Sequence, residues 1–457
     1  MKQKVVLIIF VLSFLYSSAQ QVKGIYGDTN WMLNWTNFKP ATTEYKEPNA
    51  ILSGVIDKDT KLSSDNTYRL EGTVYVTNNA TLTIEAGTVI RGDEMTCGTL
   101  VITKGAKIMA EGTEKNPIVF TSNKATTVRK PGDWGGIILL SDAPINKAGI
   151  NGQALLDFNL DASKCTYGGE NPESNSGILQ YVRIEYAGRK LNALKELNGL
   201  SLAGVGNKTI LSHLQISYSN DDSFERYGGD VKLNHLISYR TTDDDFDFTQ
   251  GVQANIINSI AIRHPFSSDS AGSRCFEIDS YDKIDNYDPQ KKLSMIQANN
   301  ITLINLEENN QGLVKESIHI KEKSFLTLTN SIVSGFAPFL LMDGKIGLNP
   351  DNLSKITLKN ILVNNCKGSI VSEEQNYKDK LKYWPDPSSM GIEFSSIAIN
   401  DLFKSSQIKL KKDSLRREII GIFFFCLCFF GLFFFFFSFE KKLFSEWLLK
   451  KIKKRVK

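Results

Sequence analysis

The feature that most constrains this chain is an internal repeat near its middle. The segment TILSHLQISYSNDDSFERYGG (209–229) realigns with the segment VKLNHLISYRTTDDDFDFTQG (231–251) that follows it. His213 then matches His235, and Glu225 matches Asp247. Self-similarity at a period of roughly 20 to 50 residues is typical of stacked repeat architectures. We therefore expect successive turns of one solenoid.

The repeat continues on both sides with a variable period. ATLTIEAGTVIRG (80–92) realigns with GTLVITKGAKIMAEG (98–112), and Leu and Ile recur there at every second position. That alternation predicts half-buried strands. Farther on, one amide recurs within short apolar segments, at Asn258, Asn305, Asn330 and Asn360. Asn at one position of successive turns can form an amide ladder, and Asn also tolerates left-handed turns.

Short strands without amphipathic helices between them predict an all-β fold, a right-handed parallel β-helix. We expect it to span residues 69–400, with 20–68 as a lead and cap that includes Trp31 and Trp35. Solenoid ends need covering, which is why a cap is expected. A pair of β-sandwiches is the competing fold, but hairpin turn signals are sparse.

The block from residue 82 to 140 also carries a family resemblance. LTIEAGTVIRG, GTLVITKGAKIMAEGTEKNPIVFTS and GDWGGIILL follow one another there, and NGLSLAGVG and DDSFERYGG come later. This series resembles exported bacterial parallel β-helix surface proteins, some of which end in a type IX secretion sorting domain. The resemblance covers roughly residues 50–400 and implies fold and location, but no established activity. No folded sorting domain is visible at the C-terminus, which departs from the family.

The N-terminus predicts export. Lys2 and Lys4 precede an apolar stretch, and Ser17-Ser18-Ala19 offers a small-residue cleavage site, so residues 1–19 read as a signal peptide. A retained N-terminal anchor is the alternative.

The C-terminus predicts an anchor. Residues 419–439 are uncharged and long enough to cross a bilayer as a helix, which makes the membrane the expected partner. They follow a linker at 401–418, and the basic tail 440–457 favours the cytoplasmic side. The body then lies outside the cytoplasm. The many Phe residues leave two alternatives, a frameshift-derived end and a removable sorting signal.

Composition limits the function classes. The formal net charge is +4, but the basic excess lies in the signal peptide and the tail. The body is therefore slightly acidic, and no nucleic-acid partner is expected. Cys97, Cys165, Cys275 and Cys366 are widely spaced, which favours buried thiols over a disulfide framework.

Acidic residues form the main candidate site. If each copy of the repeat is one turn, two Asp-rich segments stack, and their carboxylates are weak candidate Ca²⁺ ligands: Asp221, Asp222, Glu225, Asp243, Asp244 and Asp247. Like charges this close disfavour joint ionisation unless a cation, a proton or solvent relieves them. Ca²⁺ accepts such oxygen ligands, although the spacing matches no known loop motif. A column of Asp-rich turns bonded to backbone amides is the simplest interpretation.

Catalysis is the remaining interpretation. Polygalacturonase-like hydrolases and pectate lyases share the parallel β-helix, and the weak catalytic candidates here are Asp222, Asp244, Arg263 and His264. No Gly-His-Gly segment or suitably placed Arg-x-Lys accompanies them. We therefore expect a non-enzymatic scaffold that binds glycan or Ca²⁺, with a polysaccharide lyase or glycoside hydrolase as the alternative.

Overall fold

The computed structural model describes residues 23–24, 31–149, 152–193, 195–264, 267–268, 272–281, 283–306, 313–314, 316–344, 346, 350–373 and 391–398. One compact unit, 1–25 with 30–397, holds the strands. The other, 26–29 with 398–457, lies outside the described residues apart from Ala398. The predicted signal peptide, linker, membrane span and basic tail likewise lie outside them. Among the described residues, no helix is long and apolar enough to cross a bilayer.

Strands dominate the described chain. In chain order they are β1 (Ala50–Ile56), β2 (Thr60–Leu62), β3 (Thr67–Val76), β4 (Thr81–Ile84), β5 (Val89–Gly92), β6 (Thr99–Ile102), β7 (Lys107–Glu111), β8 (Ile118–Ser122), β9 (Gly136–Leu140), β10 (Ala154–Leu155), β11 (Thr166–Tyr167), β12 (Gly177–Glu185), β13 (Leu200–Ala203), β14 (Ile210–Ser217), β15 (Phe224–Tyr227), β16 (Asp230–Tyr239), β17 (Phe246–Thr249), β18 (Gln253–Arg263), β19 (Phe276–Ile278), β20 (Met295–Asn305), β21 (Ile318–Ile320), β22 (Phe325–Ser334), β23 (Pro338–Met342), β24 (Ile356–Asn364), β25 (Gly368–Ser372) and β26 (Ile392–Ser395). The helices are short: α1 (Pro350–Leu353) and the 3-10 turns Pro40–Thr42, Thr126–Val128 and Ile284–Asn286.

Parallel pairing arranges these strands in three faces. Twenty-four strands form one sheet, and β10 and β11 form a separate antiparallel pair. Face 1 holds β2, β4, β7 and the first halves of β12, β14, β16, β18, β20, β22 and β24. Face 2 holds β5, β8, β26, the first halves of β1 and β3, and the second halves of those long strands. Face 3 holds the second halves of β1 and β3, followed by β6, β9, β13, β15, β17, β19, β21, β23 and β25. An all-β parallel solenoid is thus confirmed. The right-handed sense that was predicted is the one that parallel crossovers prefer.

A single residue makes the corner between face 1 and face 2. In seven successive turns this residue has a positive φ, between 50° and 58°: Tyr181, His213, His235, Asn258, Asn300, Asn330 and Asn360. Asn tolerates this left-handed region better than most residues with a β-carbon. Its amides also form the predicted ladder: Asn300 Nδ2 donates to Asn258 Oδ1 at 2.7 Å, and Asn360 Nδ2 donates to Asn330 Oδ1 at 2.7 Å.

Two predictions about the repeat need correction. The corner of β20 is Asn300, whereas Asn305 lies at the end of face 2, opposite Arg263. The alignment of 80–92 with 98–112 compares neighbouring faces, because β4 lies in face 1 and β6 in face 3. Between successive turns Thr81 pairs instead with Lys107. The alignment of 209–229 with 231–251 does give one full turn, since Phe224 pairs with Phe246.

One apolar cluster fills the interior from Leu52 to Ile392. Alternate residues of each strand point into it, so stacking the turns creates a continuous core. On face 3 the rings of Phe224 and Phe246 stack with centroids 5.4 Å apart, and Phe276 follows at 5.3 Å. The four described cysteines are free thiols, and Cys165 and Cys275 are fully buried.

The N-terminal residues lie along the side of the solenoid. The prediction that they form a cap over its open end is therefore wrong. The flank segment, residues 31–48, covers face 2 from β16 back to β5. Phe38 packs on Tyr239 in β16, and the Arg91 guanidinium in β5 donates to Lys46 O. The parallel stack also begins at Ala50, earlier than the predicted residue 69, because β1 pairs with β3.

The corner ladder generates a stability prediction. Asn330→Ala removes two hydrogen bonds of the side-chain amide and puts alanine, which tolerates a φ of 52° less well than asparagine, at the corner, so we expect about 2 to 3 kcal/mol less free energy of unfolding. Asn330→Gly loses the same bonds without the backbone penalty and is expected to cost about 1 to 2 kcal/mol. Urea denaturation measures both, and equal losses in the two variants would contradict the left-handed penalty.

Candidate functional site

The acidic residues line the corner between face 2 and face 3. Asp221 and Asp222 lie just before β15, and Asp243 and Asp244 occupy the same place before β17. The Asp244 N–H donates to Asp222 Oδ1 at 2.9 Å, which fixes one turn on the next. Glu225 pairs with Asp247 in the strands that follow. The stacking predicted from the repeat is therefore present.

Five of the six predicted ligands come together in two groups. Asp221, Asp222 and Asp243 form the first group, and Asp222, Glu225 and Asp247 form the second, with ligand oxygens within 4.8 Å of one another in each. Asp222 belongs to both groups. Asp244 belongs to neither, because its carboxylate accepts the N–H of Arg274. We call the five residues the acid pocket.

Burial strongly perturbs the acid pocket. Only 5% of the Asp222 surface is exposed, and burial, aided by Asp221, raises its pKa well above its usual value. Burial and Glu196 raise the pKa of Asp221 to about 7, while burial and Asp244 raise the pKa of Asp247 to about 7. Electrostatic repulsion and burial thus make it unfavourable for all of these carboxylates to be ionised at once.

The hydrogen bonds leave part of the acid pocket unsatisfied. Glu225 Oε2 accepts from the Tyr227 hydroxyl and from Asn198 Nδ2. Asp247 Oδ1 is buried and has no hydrogen-bond partner among the described residues. Buried polar atoms are nearly always paired, so this oxygen lacks a partner that a bound cation could supply.

The neighbouring basic side chains form ion pairs with acidic residues outside the acid pocket. Arg274 pairs with Glu277 at 2.9 Å and with Glu316 at 2.7 Å, and Lys321 pairs with Glu277 and Asp279. Within the described chain, Asp222, Glu225 and Asp247 form no ion pair with Lys or Arg. Ionisation of these three carboxylates is therefore not balanced by a paired cation among the described residues.

Arg226 is the nearest guanidinium, but it points into the core. It occupies an inward position of β15 with no exposed surface, and its Nη1 donates to Phe224 O and Asp247 O. The Phe248 ring lies 4.3 Å from its Cζ atom, while Nε and Nη2 have no described partner. Burial lowers its pKa to about 9, so it remains charged at neutral pH. Strand alternation predicts an apolar residue at this position, so this buried charge was not expected.

Arg263 is buried and links neighbouring turns of the solenoid. Its guanidinium and Asp245 are fully buried and form an ion pair at 3.0 Å, and Arg263 Nη1 also donates to the carbonyls of Asp243 and Arg274. It therefore ties two turns together and does not face solvent, as a catalytic base would. His264, half-buried, follows it in the chain and belongs to neither carboxylate group.

The acidic column continues beyond the predicted residues. Glu277 follows Asp247 in register, and Asp279 lies just after it in the same turn. Burial and Asp247 raise the pKa of Asp279 to about 9. The recurring Phe-acid pairs, Phe224-Glu225, Phe246-Asp247 and Phe276-Glu277, were the available signal. The irregular loop before β19 hid this third copy.

An inserted segment bounds the column on the N-terminal side. Leu156 and Tyr167, from the region of the β10–β11 pair, pack on outward residues of face 3 that include Val101, Ile138 and Tyr227. The outer surface of face 3 is therefore apolar and covered as far as Tyr227 at the end of β15. It becomes acidic from β15 onward.

The two buried arginines generate contrasting predictions. Arg263→Met strands the Asp245 carboxylate, so we expect about 3 to 5 kcal/mol less free energy of unfolding. Arg226→Met removes a buried cation that has no ion-pair partner in the described chain, and methionine fills similar space, so a change within about 1 kcal/mol is expected. Urea denaturation compares them, and a loss for Arg226→Met as large as that for Arg263→Met would contradict this assignment.

Comparisons with known proteins give a family. Residues 54–404 match the pectate-lyase-like β-helix domain. No curated protein and no solved structure matched the chain significantly. The match supports the β-helix part of the resemblance in the sequence, while bacterial export and type IX sorting remain predictions. Because the matched region covers most of the chain, this protein belongs to the family of pectate-lyase-like β-helix domains.

Proposed function

We propose that this protein is an exported β-helix scaffold that binds a divalent cation, most suitably Ca²⁺, in the acid pocket and holds acidic glycan through it. The observation that carries the proposal is the pair of carboxylate groups that share Asp222. A β-helix of this family suits either a scaffold or a polysaccharide-active protein, so the site chemistry has to favour one of them.

The geometry suits Ca²⁺. Its oxygen ligands lie about 2.4 Å from the ion, so two ligands on opposite sides are about 4.8 Å apart. The oxygens in each carboxylate group lie within 4.8 Å of one another. Bound Ca²⁺ would also supply the missing partner of Asp247 Oδ1 and relieve the repulsion among the buried acids.

Binding fits the site better than cleavage does. A polysaccharide lyase needs a basic side chain at the sugar, whereas Arg226 points into the core, Arg263 is in a buried ion pair and Arg274 is paired with two glutamates. An inverting hydrolase separates its two carboxyl groups by about 6.5 to 9.5 Å to admit a water molecule. The oxygens here lie within 4.8 Å of one another, which does not fit the inverting arrangement. A retaining hydrolase, whose carboxyl groups are about 5 to 5.5 Å apart, is the kind of hydrolase that this spacing leaves open. Cleavage stays the second candidate because a pectate-lyase-like β-helix domain also suits a polysaccharide-active protein.

Calorimetry tests the cation site. Wild type should bind Ca²⁺, with an affinity that rises from about pH 6 to about pH 8, because the cation displaces protons from Asp221 and Asp247. Asp222→Asn should weaken binding at least about tenfold, since it removes a ligand from both groups. Asp57→Asn, on the exposed surface beyond β1, is the matched control and should bind as wild type does.

The same variants separate binding from cleavage. A panel of acidic polysaccharides should bind to wild type in Ca²⁺ and detach in chelator, without release of unsaturated or reducing ends. Turnover that Asp222→Asn or Asp244→Asn abolishes would instead establish the enzyme. Absence of Ca²⁺ uptake by wild type would remove the proposed function.

We place the protein in the cell envelope, with the solenoid outside the cytoplasm and residues 419–439 as a single membrane anchor. The apolar length of that segment and the basic tail 440–457 support this location, and the apolar stretch that precedes Ser17-Ser18-Ala19 supports export.

Protease protection tests this location. In intact cells, protease added outside should digest the solenoid and leave a membrane-bound fragment containing the tail. A chain that ends before residue 403 should be released to the medium. If the full chain is released as well, the anchor does not exist, and sequencing the genomic T-run that encodes the Phe-rich segment would reveal a frameshift.

A further inference from the structure

The flank segment is held on face 2 by specific contacts. The Asn37 N–H donates to Gln215 Oε1 at 2.7 Å, and Gln215 Nε2 donates back to Asn37 O at 2.8 Å. The Tyr45 hydroxyl donates to buried Glu185 at 3.1 Å. Gln215 and Glu185 are each only 1% exposed, although both point outward from face 2. Their burial depends on the segment that covers them.

At its N-terminal end the segment closes over two histidines. The rings of His213 and His235 stack with centroids 4.4 Å apart and an interplanar angle of 9°. The Trp31 ring meets His235 edge-on at 4.7 Å, and Trp35 meets His213 at 5.8 Å. Tyr181 stacks on the other side of His213 at 4.4 Å. Trp35 has no exposed surface, so this cluster is the main apolar attachment of the segment.

The two imidazoles have polar or aromatic neighbours and no described acid in contact. Ser212 Oγ bonds His213 Nδ1 at 2.8 Å, while His235 Nδ1 is buried without a described partner. The charged residues on the packed elements are Arg183 and Glu185 on β12, Asp230 and Lys232 on β16, Arg263 on β18, and Lys39, Glu44, Lys46 and Glu47 on the segment. Arg183 and Glu185 pair with each other and Arg263 with Asp245, while Glu44 and Glu47 contact Thr126 and Arg91. Among the described contacts, none of these charged residues contacts the imidazole of His213 or His235.

We propose that the stacked His213–His235 pair is a pH-sensitive clasp, which releases the flank segment in acid while the solenoid stays folded. Two imidazolium ions at this separation would repel each other beneath two indole rings, and both histidines are half-buried while the segment is docked, so water screens that repulsion only in part. This proposal does not depend on the acid pocket or on its ligand.

The direction of the pH effect follows from the environment. Burial and then His235 lower the pKa of His213 to about 4 from 6.5, and burial lowers the pKa of His235. A histidine exposed by release of the segment binds a proton more readily than a docked one. Docking is therefore fully stable above about pH 6.5 and weakens as the pH falls toward 4. At about pH 4.5, His213 alone weakens docking on the order of tens-fold.

Hydrogen exchange on the full chain tests the clasp. Protection factors for peptides within residues 31–48, corrected for intrinsic exchange, should fall at least about tenfold from pH 7.5 to about pH 4.5. Peptides from β20 and β22 should keep their protection. In the double variant His213→Asn/His235→Asn the loss should disappear, because asparagine adopts the same positive φ at Asn258, Asn300, Asn330 and Asn360 but does not titrate.

The double variant also controls for the carboxylates. The acidic side chains of the flank segment and of face 2 are the same in both proteins, so an equal loss of protection in wild type and in the variant would overturn the proposal. It would also be overturned if protection of residues 31–48 were the same at both pH values in wild type, or if β20 and β22 lost protection together with the segment.

Discussion

The rest of this structure depends on one backbone constraint, the residue with positive φ that turns each long strand from face 1 to face 2. A wider loop would let successive turns shift, whereas a one-residue corner fixes the register of both faces at once. This register in turn determines which side chains of successive turns stack on one another. Histidines occupy the column in two adjacent turns and asparagines in four later ones. Side-chain contacts along this column then reinforce the backbone pairing that created it.

The same register produces the acid pocket. No local preference of Asp or Glu would gather these carboxylates, because each turn contributes only two or three of them. Stacking the turns about 4.8 Å apart brings them together. Core packing of Phe224, Phe246 and Phe276 behind them then holds the strands rigid. The solenoid thus supplies a preorganised site of carboxylates. Packing of the apolar interior stabilises the fold against the repulsion among them.

Sequence reasoning succeeded where the period was regular. The match of 209–229 with 231–251 predicted the stacked histidines and the pairing of Glu225 with Asp247, and both are confirmed. It failed where loops changed the period, so Asn305 was chosen in place of Asn300, and Glu277 was overlooked. Arg226 was missed because alternation describes polarity on average and gives no sign that three phenylalanine rings will surround a cation. The lateral course of residues 31–48 was also missed, since local pattern carries no information on contacts between distant segments.

The path of the N-terminal residues has a consequence for assembly. Gly24 N donates to Asn330 O, and Lys23 pairs with Glu393, so the first described residues contact some of the last turns. A chain that is made from its N-terminus presents these residues long before their binding surface exists. They must stay unattached while the turns accumulate, and contacts this distant in sequence close slowly. Attachment of Lys23 and Gly24 therefore requires that the turns of β22 and β26 are already in place, so it marks a late step in folding.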